Sequence, residues 1–146
     1  MNHTIRLLPW ILILGNGIFI VIQLPTLPDI IPTHFNGAGE IDGWGSKYTI
    51  IIPFIIQLAM TLLLSYLAKH PEKHNYPFAI TDENRDYQYA RSSELIMKLN
   101  LIINIIFATI SYSIVKAELP LIIIVSELIL LFAAIVGHLI VSGKKR

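Results

Sequence analysis

The chain has 146 residues, of which 54% are hydrophobic and only 14% carry a charge, and its mean hydropathy is +0.64. This composition is typical of an integral membrane protein and leaves no stretch for a separate water-soluble domain with its own core. The net charge of +1 and the scattered basic residues argue against a nucleic-acid partner, while the absence of cysteine excludes disulfides, thiolate catalysis and cysteine-ligated metals.

The first predicted element is a membrane-spanning helix over about residues 8–27. It contains no charged side chain and has the roughly 20 helical residues that a hydrocarbon core requires. Arg6 precedes it, as a basic residue would in a signal peptide, but the apolar stretch is long and no small-residue cleavage site follows. We therefore expect a retained anchor, with Asn16 and Gln23 on one polar face.

A polar loop, "LPDIIPTHFNGAGEIDGWGSK" at residues 27–47, follows the first span. Its prolines favour an extended backbone and its glycines permit tight turns, so we expect a folded loop rather than a flexible linker. The polar residues are typical turn formers, but they also allow a binding site at the outer membrane face. The candidate ligand-binding residues are Asp29, His34, Asn36, Glu40, Asp42, Trp44 and Lys47.

The same loop allows a metal site as an alternative. His34, Glu40 and Asp42 are the most closely spaced nitrogen and oxygen donors, and such ligands hold divalent cations. No second histidine lies near His34, and the spacing matches no zinc template. We therefore expect no cofactor, and keep as the alternative a divalent metal in a metal-dependent membrane enzyme or a metal sensor.

A second uncharged span is predicted over about residues 48–68. It carries Gln57, Thr61 and Ser65 at four-residue spacing, and residues four apart lie on the same face of a helix. This pattern predicts one polar seam, which should face the other helices rather than lipid.

Residues 69–94 form the cytoplasmic loop of the predicted topology, beginning with the turn-forming sequence "KHPEKHNYP". Thr81 is the predicted N-cap of a helix with Asp82 and Glu83 in its first turn, where acidic side chains complement the helix dipole. No helix breaker follows, so we expect the third helix to extend from the cytoplasm into the membrane.

The last two predicted spans cover about residues 95–115 and 119–141. Asn100 and Asn104 give the third span a polar seam of its own. Only "KAELP" joins the two spans, and Pro120 suits the first turn of the fourth helix. The two helices should therefore pack as an antiparallel pair.

Glu127 is the most costly side chain in the predicted spans, about 10 Å from the outer end of its helix. We expect it to face the bundle and either pair or stay protonated, with Gln57 and Gln23 as possible neighbours. Two roles are open: a hydrogen bond between helices worth about 1 kcal/mol, which we favour, or a relay in a small transporter or accessory subunit. The intramembrane candidates are Glu127, Gln57, Gln23 and Asn104.

The basic residues predict the orientation, because short loops rich in Lys and Arg stay in the cytoplasm. When both termini are placed in the cytoplasm, Trp10 and Tyr66 lie at the inner interface, whereas Trp44, Tyr48 and Tyr112 lie at the outer one. With both termini inside, nine basic residues are cytoplasmic and two are outside: Arg6, Lys69, Lys73, Arg85, Arg91, Lys98, Lys144, Lys145 and Arg146 against Lys47 and Lys116.

The loop resembles the N-terminal domain of SdpI-type bacterial immunity proteins. The matching positions are Leu27, Pro28, Asp29, Ile31, Pro32, His34, Gly39, Asp42, Gly45, Ser46 and Lys47. The downstream stretch "TDENRDYQYARSSELIMKLNLIINIIFATISYS" is similar to short standalone members of this group. The resemblance implies a non-enzymatic inner-membrane protein of the immunity or sensing type, whose partners are the lipid bilayer and an extracellular peptide toxin or another membrane protein.

The sequence therefore predicts an all-α membrane protein with a single domain over residues 1–146. Four transmembrane helices cross the inner membrane, both termini are cytoplasmic, and a folded extracytoplasmic loop, residues 28–47, joins the first two helices.

Overall fold

The computed structural model describes residues 3–143 and confirms the four long apolar helices. Each of the four is long and apolar enough to cross a membrane. The span of the second helix also includes the 3-10 turn Lys47–Ile50 that precedes it. The protein is therefore a multi-pass membrane protein. The helices are α1 (His3–Gln23), α2 (Ile51–Leu67), α3 (Arg85–Lys116) and α4 (Leu121–Ser142).

The expectation of an all-α fold is incomplete, because the loop after α1 contains two strands. β1 (Ile30–Phe35) pairs antiparallel with β2 (Ile41–Ser46). The alternation that normally reveals a strand is hidden here, since Pro32 interrupts the first strand and two glycines stand at inward positions of the second. The connecting turn is closed by Asn36, whose side-chain oxygen accepts hydrogen bonds from the backbone of the turn.

The start of α3 also differs from the prediction. The helix begins at Arg85, four residues after the expected cap, so Asp82 and Glu83 lie before its first turn. Asn84, next to the helix, makes the local contact instead: its side-chain oxygen accepts a 2.9 Å hydrogen bond from the Thr81 backbone N–H. With 32 residues, α3 is about 48 Å long and exceeds a hydrocarbon core of about 30 Å, as expected for a helix that extends beyond the membrane.

α3 lies at the centre of the bundle and packs against each of the other three helices. α1 also packs against α2, whereas α4 packs chiefly against α3 and leaves most of its apolar side chains exposed. Directly beneath the strands, an apolar cluster joins them to the bundle. Its buried members are Ile20, Leu27, Ile31, Ile50 and Ile114.

Candidate functional site

The two strands and their turn, Ile30–Ser46, form a hairpin that backbone hydrogen bonds and one ion pair hold closed. At its base, the Lys47 N–H donates to the Asp29 carbonyl at 2.9 Å, and the Lys47 ammonium lies 3.0 Å from the Asp29 carboxylate. At its tip, the Asn36 N–H donates to the Glu40 carbonyl at 2.8 Å. Four of the predicted ligand-binding residues therefore take part in holding the hairpin in shape.

Three of the four glycines of the hairpin are explained by close approach or by an unusual backbone angle. Gly39 has φ of +83°, and a Cβ there would lie 3.0 Å from the Leu121 side chain at the start of α4. A Cβ on Gly43 would lie 2.9 Å from the His34 Cβ, and one on Gly45 would lie 2.9 Å from the Thr33 methyl. The tip thus rests on α4, and Thr33 covers the glycines of β2.

His34 and Asp42 face each other across the hairpin on its exposed surface. Their Nδ1 and Oδ1 atoms are 2.5 Å apart, and the side chains are 71% and 45% exposed, respectively. Glu40 is not part of this pair, because its carboxylate accepts a 3.0 Å hydrogen bond from the Asn36 amide. Of the three proposed metal ligands, the structure brings two together; across residues 3–143, no three His, Asp or Glu side chains are grouped for a metal.

Trp44 is the large side chain that the hairpin presents outward. It is 60% exposed and lies opposite Pro32 in the strand register. Ile30 and Tyr48, at the base of the hairpin, are similarly exposed. The hairpin therefore combines a rigid backbone, one exposed indole and one exposed imidazole–carboxylate pair, a combination that suits recognition of a partner with both apolar and polar groups.

Inside the bundle, the polar seams of α1, α2 and α3 meet in one network of neutral side chains. Asn16 donates through Nδ2 to Gln57 Oε1 at 2.7 Å, and Gln57 donates through Nε2 to Asn104 Oδ1 at 2.9 Å. Asn104 in turn donates to Thr61 Oγ1 at 2.9 Å and to Asn100 Oδ1 at 3.0 Å. We call Asn16, Gln57, Thr61, Asn100 and Asn104 the amide network.

Every member of the amide network is buried, and four of them have no exposed surface at all. Thr61 completes the arrangement by donating to the Gln57 backbone carbonyl at 2.8 Å, and Asn100 reaches Ser65 at 3.2 Å. Because unpaired amides are costly in a lipid environment, this mutual pairing fixes how the three helices fit together. The network contains no group that titrates near neutral pH, and its hydrogen bonds link α1 to α2 and α2 to α3.

The sequence singled out only part of this network as a candidate site. Gln57 and Asn104 belong to it, whereas Gln23 is half-buried at the end of α1, where its carbonyl accepts from the Thr26 hydroxyl at 2.8 Å. Asn16, Thr61 and Asn100 complete the network; the seven-residue and four-residue spacings had placed them on polar seams, but they were not among the candidate site residues. Spacing places residues on one face of a helix but does not show which faces meet.

Glu127 contacts α3 rather than the expected amides. Its Oε1 accepts a 2.7 Å hydrogen bond from the Thr109 hydroxyl, and neither Gln57 nor Gln23 reaches it. The side chain is buried, and its second oxygen has no hydrogen-bond partner among the described residues. Glu127 thus joins α4 to α3 by a single hydrogen bond.

The segment between α2 and α3 is held against both helices. His74 lies 2.6 Å from the Ser92 hydroxyl through Nδ1 and 2.9 Å from the Leu67 carbonyl through Nε2. Tyr76 stacks on Tyr89 with ring centroids 5.8 Å apart, and burial there raises the pKa of the Tyr76 hydroxyl. This segment therefore forms an ordered cap at the end of the bundle opposite the hairpin.

Comparison with known proteins identifies similarity over the hairpin and its flanking helices. The family described as a domain of unknown function (DUF1648) matches residues 11–58, from α1 through the hairpin into α2. An uncharacterized protein of Archaeoglobus fulgidus is 32% identical over 113 residues, an alignment that covers 65% of this chain and 62% of that protein. The chain thus spans less than two thirds of the length of that relative. No solved structure matches the chain.

Proposed function

We propose that the protein is a non-enzymatic receptor of the SdpI-like immunity or sensing type, in which the hairpin binds an extracellular peptide. The observation that carries the proposal is the presentation of Trp44, 60% exposed, on the same hairpin as the exposed His34–Asp42 pair. An aromatic anchor beside a polar pair is typical of the few residues that supply most binding energy at an interface.

The free edge of β2 supports a peptide as the ligand. β1 packs toward α3, with Ile31 only 1% exposed, and contains Pro32, which lacks an N–H. β2 contains no proline, and no other strand flanks it within the part of the chain that the structure describes. An extended peptide can add a strand to such an edge through backbone hydrogen bonds, while side chains such as Trp44 provide selectivity.

The charge distribution supports an extracytoplasmic hairpin in a bacterial inner membrane. In the antiparallel bundle, Arg6, Lys69 and Arg85 lie at the helix ends away from the hairpin, whereas Lys47 and Lys116 lie at the hairpin end. We call the end of the bundle opposite the hairpin the hairpin-free end. The positive-inside rule then assigns this end, and with it both termini, to the cytoplasm. In this orientation Trp44 and the β2 edge face the compartment from which a membrane-active peptide would arrive.

The proposal is tested by the survival of cells that lack the protein when they are exposed to a panel of membrane-active peptides. We expect the deletion to sensitise the cells to at least one peptide, and the wild-type gene to restore resistance. A Trp44→Ala, His34→Ala variant should fail to restore it at equal expression. The second tryptophan of the chain provides a matched control: Trp10→Ala, at the opposite end of α1, should restore resistance fully. Unchanged survival of the deletion strain across the whole panel, or equal failure of the two variants, would refute the receptor role.

A second candidate function is binding of a divalent metal through His34, in a metal sensor or metal-dependent enzyme. The observation that favours it is the 2.5 Å contact between His34 Nδ1 and Asp42, because a carboxylate bound to one ring nitrogen commonly orients the other nitrogen toward a metal. Protein purified in mild detergent without chelator should then contain about one equivalent of one metal. His34→Ala should abolish the metal and Asp42→Ala should weaken its binding; a metal-free wild-type protein would remove this candidate.

A further inference from the structure

A charged pocket of about 280 Å³ lies between α3 and α4 near the hairpin-free end of the bundle. Arg91, Glu94 and Lys98 line one wall, at positions that share one face of α3. His138 and Gly137 lie on the opposite wall, in α4. The pocket is separate from the hairpin and from the amide network.

The charges in this pocket leave a net positive site. Glu94 is shared by two cations: Oε2 accepts from Arg91 at 2.8 Å, and Oε1 lies 2.7 Å from the Lys98 ammonium. Both carboxylate oxygens are therefore occupied, while each cation retains further N–H donors. Arg91 Nε is buried and has no hydrogen-bond partner among the described residues. An anion entering the pocket can accept hydrogen bonds from the remaining N–H groups of the Arg91 guanidinium and the Lys98 ammonium, both of which line it.

The α4 wall provides the space for such an anion. Ala133, Ala134 and Gly137 face the cations across the pocket, and a Cβ built on Gly137 would meet nothing within 4 Å. Small residues at a helix interface usually allow close packing, but here they face an open volume. The space is therefore available to a ligand rather than filled by the neighbouring helix.

The depth of the pocket in the membrane identifies the source of the anion. A hydrocarbon core of about 30 Å takes up about 20 residues of α3, so when Lys116 lies at one headgroup layer, the roughly two turns from Arg91 to Lys98 lie at the other. Phosphate groups of lipids are concentrated at that level, and basic pockets between transmembrane helices commonly bind them.

We propose that the Arg91–Lys98 pocket is a binding site for the phosphate-bearing headgroup of an anionic phospholipid in the leaflet at the hairpin-free end. The headgroup completes the coordination of the Arg91 and Lys98 donors, while the acyl chains follow the apolar exposed surface of α4. A lipid bound in this way bridges α3 and α4, which are otherwise joined in the membrane by few polar contacts.

The test is to count retained lipids by native mass spectrometry, after reconstitution in nanodiscs that contain equal amounts of phosphatidylglycerol and phosphatidylcholine. The wild-type protein should retain phosphatidylglycerol preferentially. Each cation that contacts the bound headgroup should contribute about a fivefold change in binding, so Arg91→Gln should reduce retention about fivefold and Arg91→Gln, Lys98→Gln further. A matched control that also removes two charges, Arg85→Gln, Lys69→Gln, lies outside the pocket and should retain the wild-type preference.

Two further measurements complete the test. Gly137→Leu places a side chain in the open volume without removing a charge, and we expect it to reduce phosphatidylglycerol retention while the fold, monitored by circular dichroism, is unchanged. Inorganic phosphate at millimolar concentration should not displace the lipid. Equal loss of retention in the pocket and control variants, retention by the double pocket variant, or displacement by inorganic phosphate would each overturn the proposal.

Discussion

The interface among α1, α2 and α3 and the interface between α3 and α4 differ in how completely their buried polar side chains are paired. In the first, five buried neutral side chains satisfy one another across three helices. In the second, Glu127 makes one hydrogen bond and keeps a buried oxygen without a partner among the described residues, and a charged pocket stays open beside small residues of α4. α4 contacts the bundle chiefly through α3, where Gln88 Nε2 also donates to the Ser142 carbonyl at 3.1 Å, whereas the hydrogen-bonded network extends over α1, α2 and α3.

The largest expected effect comes from removing the centre of the amide network. Asn104→Ala deletes the acceptor of Gln57 and the donor to Thr61 and Asn100, so it leaves several buried polar groups unpaired. Because each such group costs about 1–3 kcal/mol, we expect the free energy of unfolding to fall by roughly 3 kcal/mol or more. Equilibrium unfolding in mixed detergent micelles would measure the loss.

The control for this prediction is Ile105→Ala on the same helix. Ile105 is 40% exposed toward lipid, and truncating it opens no buried cavity, so the change in unfolding free energy should stay below about 1 kcal/mol. Equal losses in the two variants would show that the network does not hold α1–α3 together.

A smaller effect is expected where the hairpin tip meets α4. Gly39→Ala places a side chain at φ of +83° and 3.0 Å from the Leu121 side chain. The strain should reduce the unfolding free energy by about 1–2 kcal/mol. Gly37→Ala is the matched control, since a Cβ there meets nothing within 4 Å and its backbone angle is ordinary. A neutral Gly39→Ala would mean that the tip does not rest on α4.

The smallest expected effect on the unfolding free energy comes from the hydrogen bond between Thr109 of α3 and Glu127 of α4. Thr109→Val removes the hydrogen bond to Glu127 and should cost about 1 kcal/mol. Adding Glu127→Leu should then restore most of the stability, because replacing both partners with apolar residues leaves no buried polar group unpaired. Equilibrium unfolding of both variants tests this pair; a double variant that is less stable than the single one would show that Glu127 makes a contribution beyond the bond to Thr109.

The sequence predicted the helices better than it predicted the contacts among them. Long apolar runs identified the spans, because the bilayer imposes a length and a composition on each helix. The strands were missed because Pro32 and two glycines conceal their alternation, and the hairpin is specified by non-local contacts such as that of Gly39 with Leu121. Periodicity found the seams, yet it could not show that Glu127 meets Thr109 rather than Gln57, since helix order and rotation depend on packing.

The receptor proposal requires that the hairpin lie at the outer face of the membrane, held there by the bundle. The natural chain has no cysteine, so Ser46→Cys and Thr81→Cys can be labelled one at a time in intact cells with a membrane-impermeant maleimide. Both positions are exposed, Ser46 in β2 of the hairpin and Thr81 before α3. We expect labelling of Ser46→Cys in intact cells and of Thr81→Cys only after lysis. The reverse pattern would place the hairpin in the cytoplasm and contradict the receptor proposal.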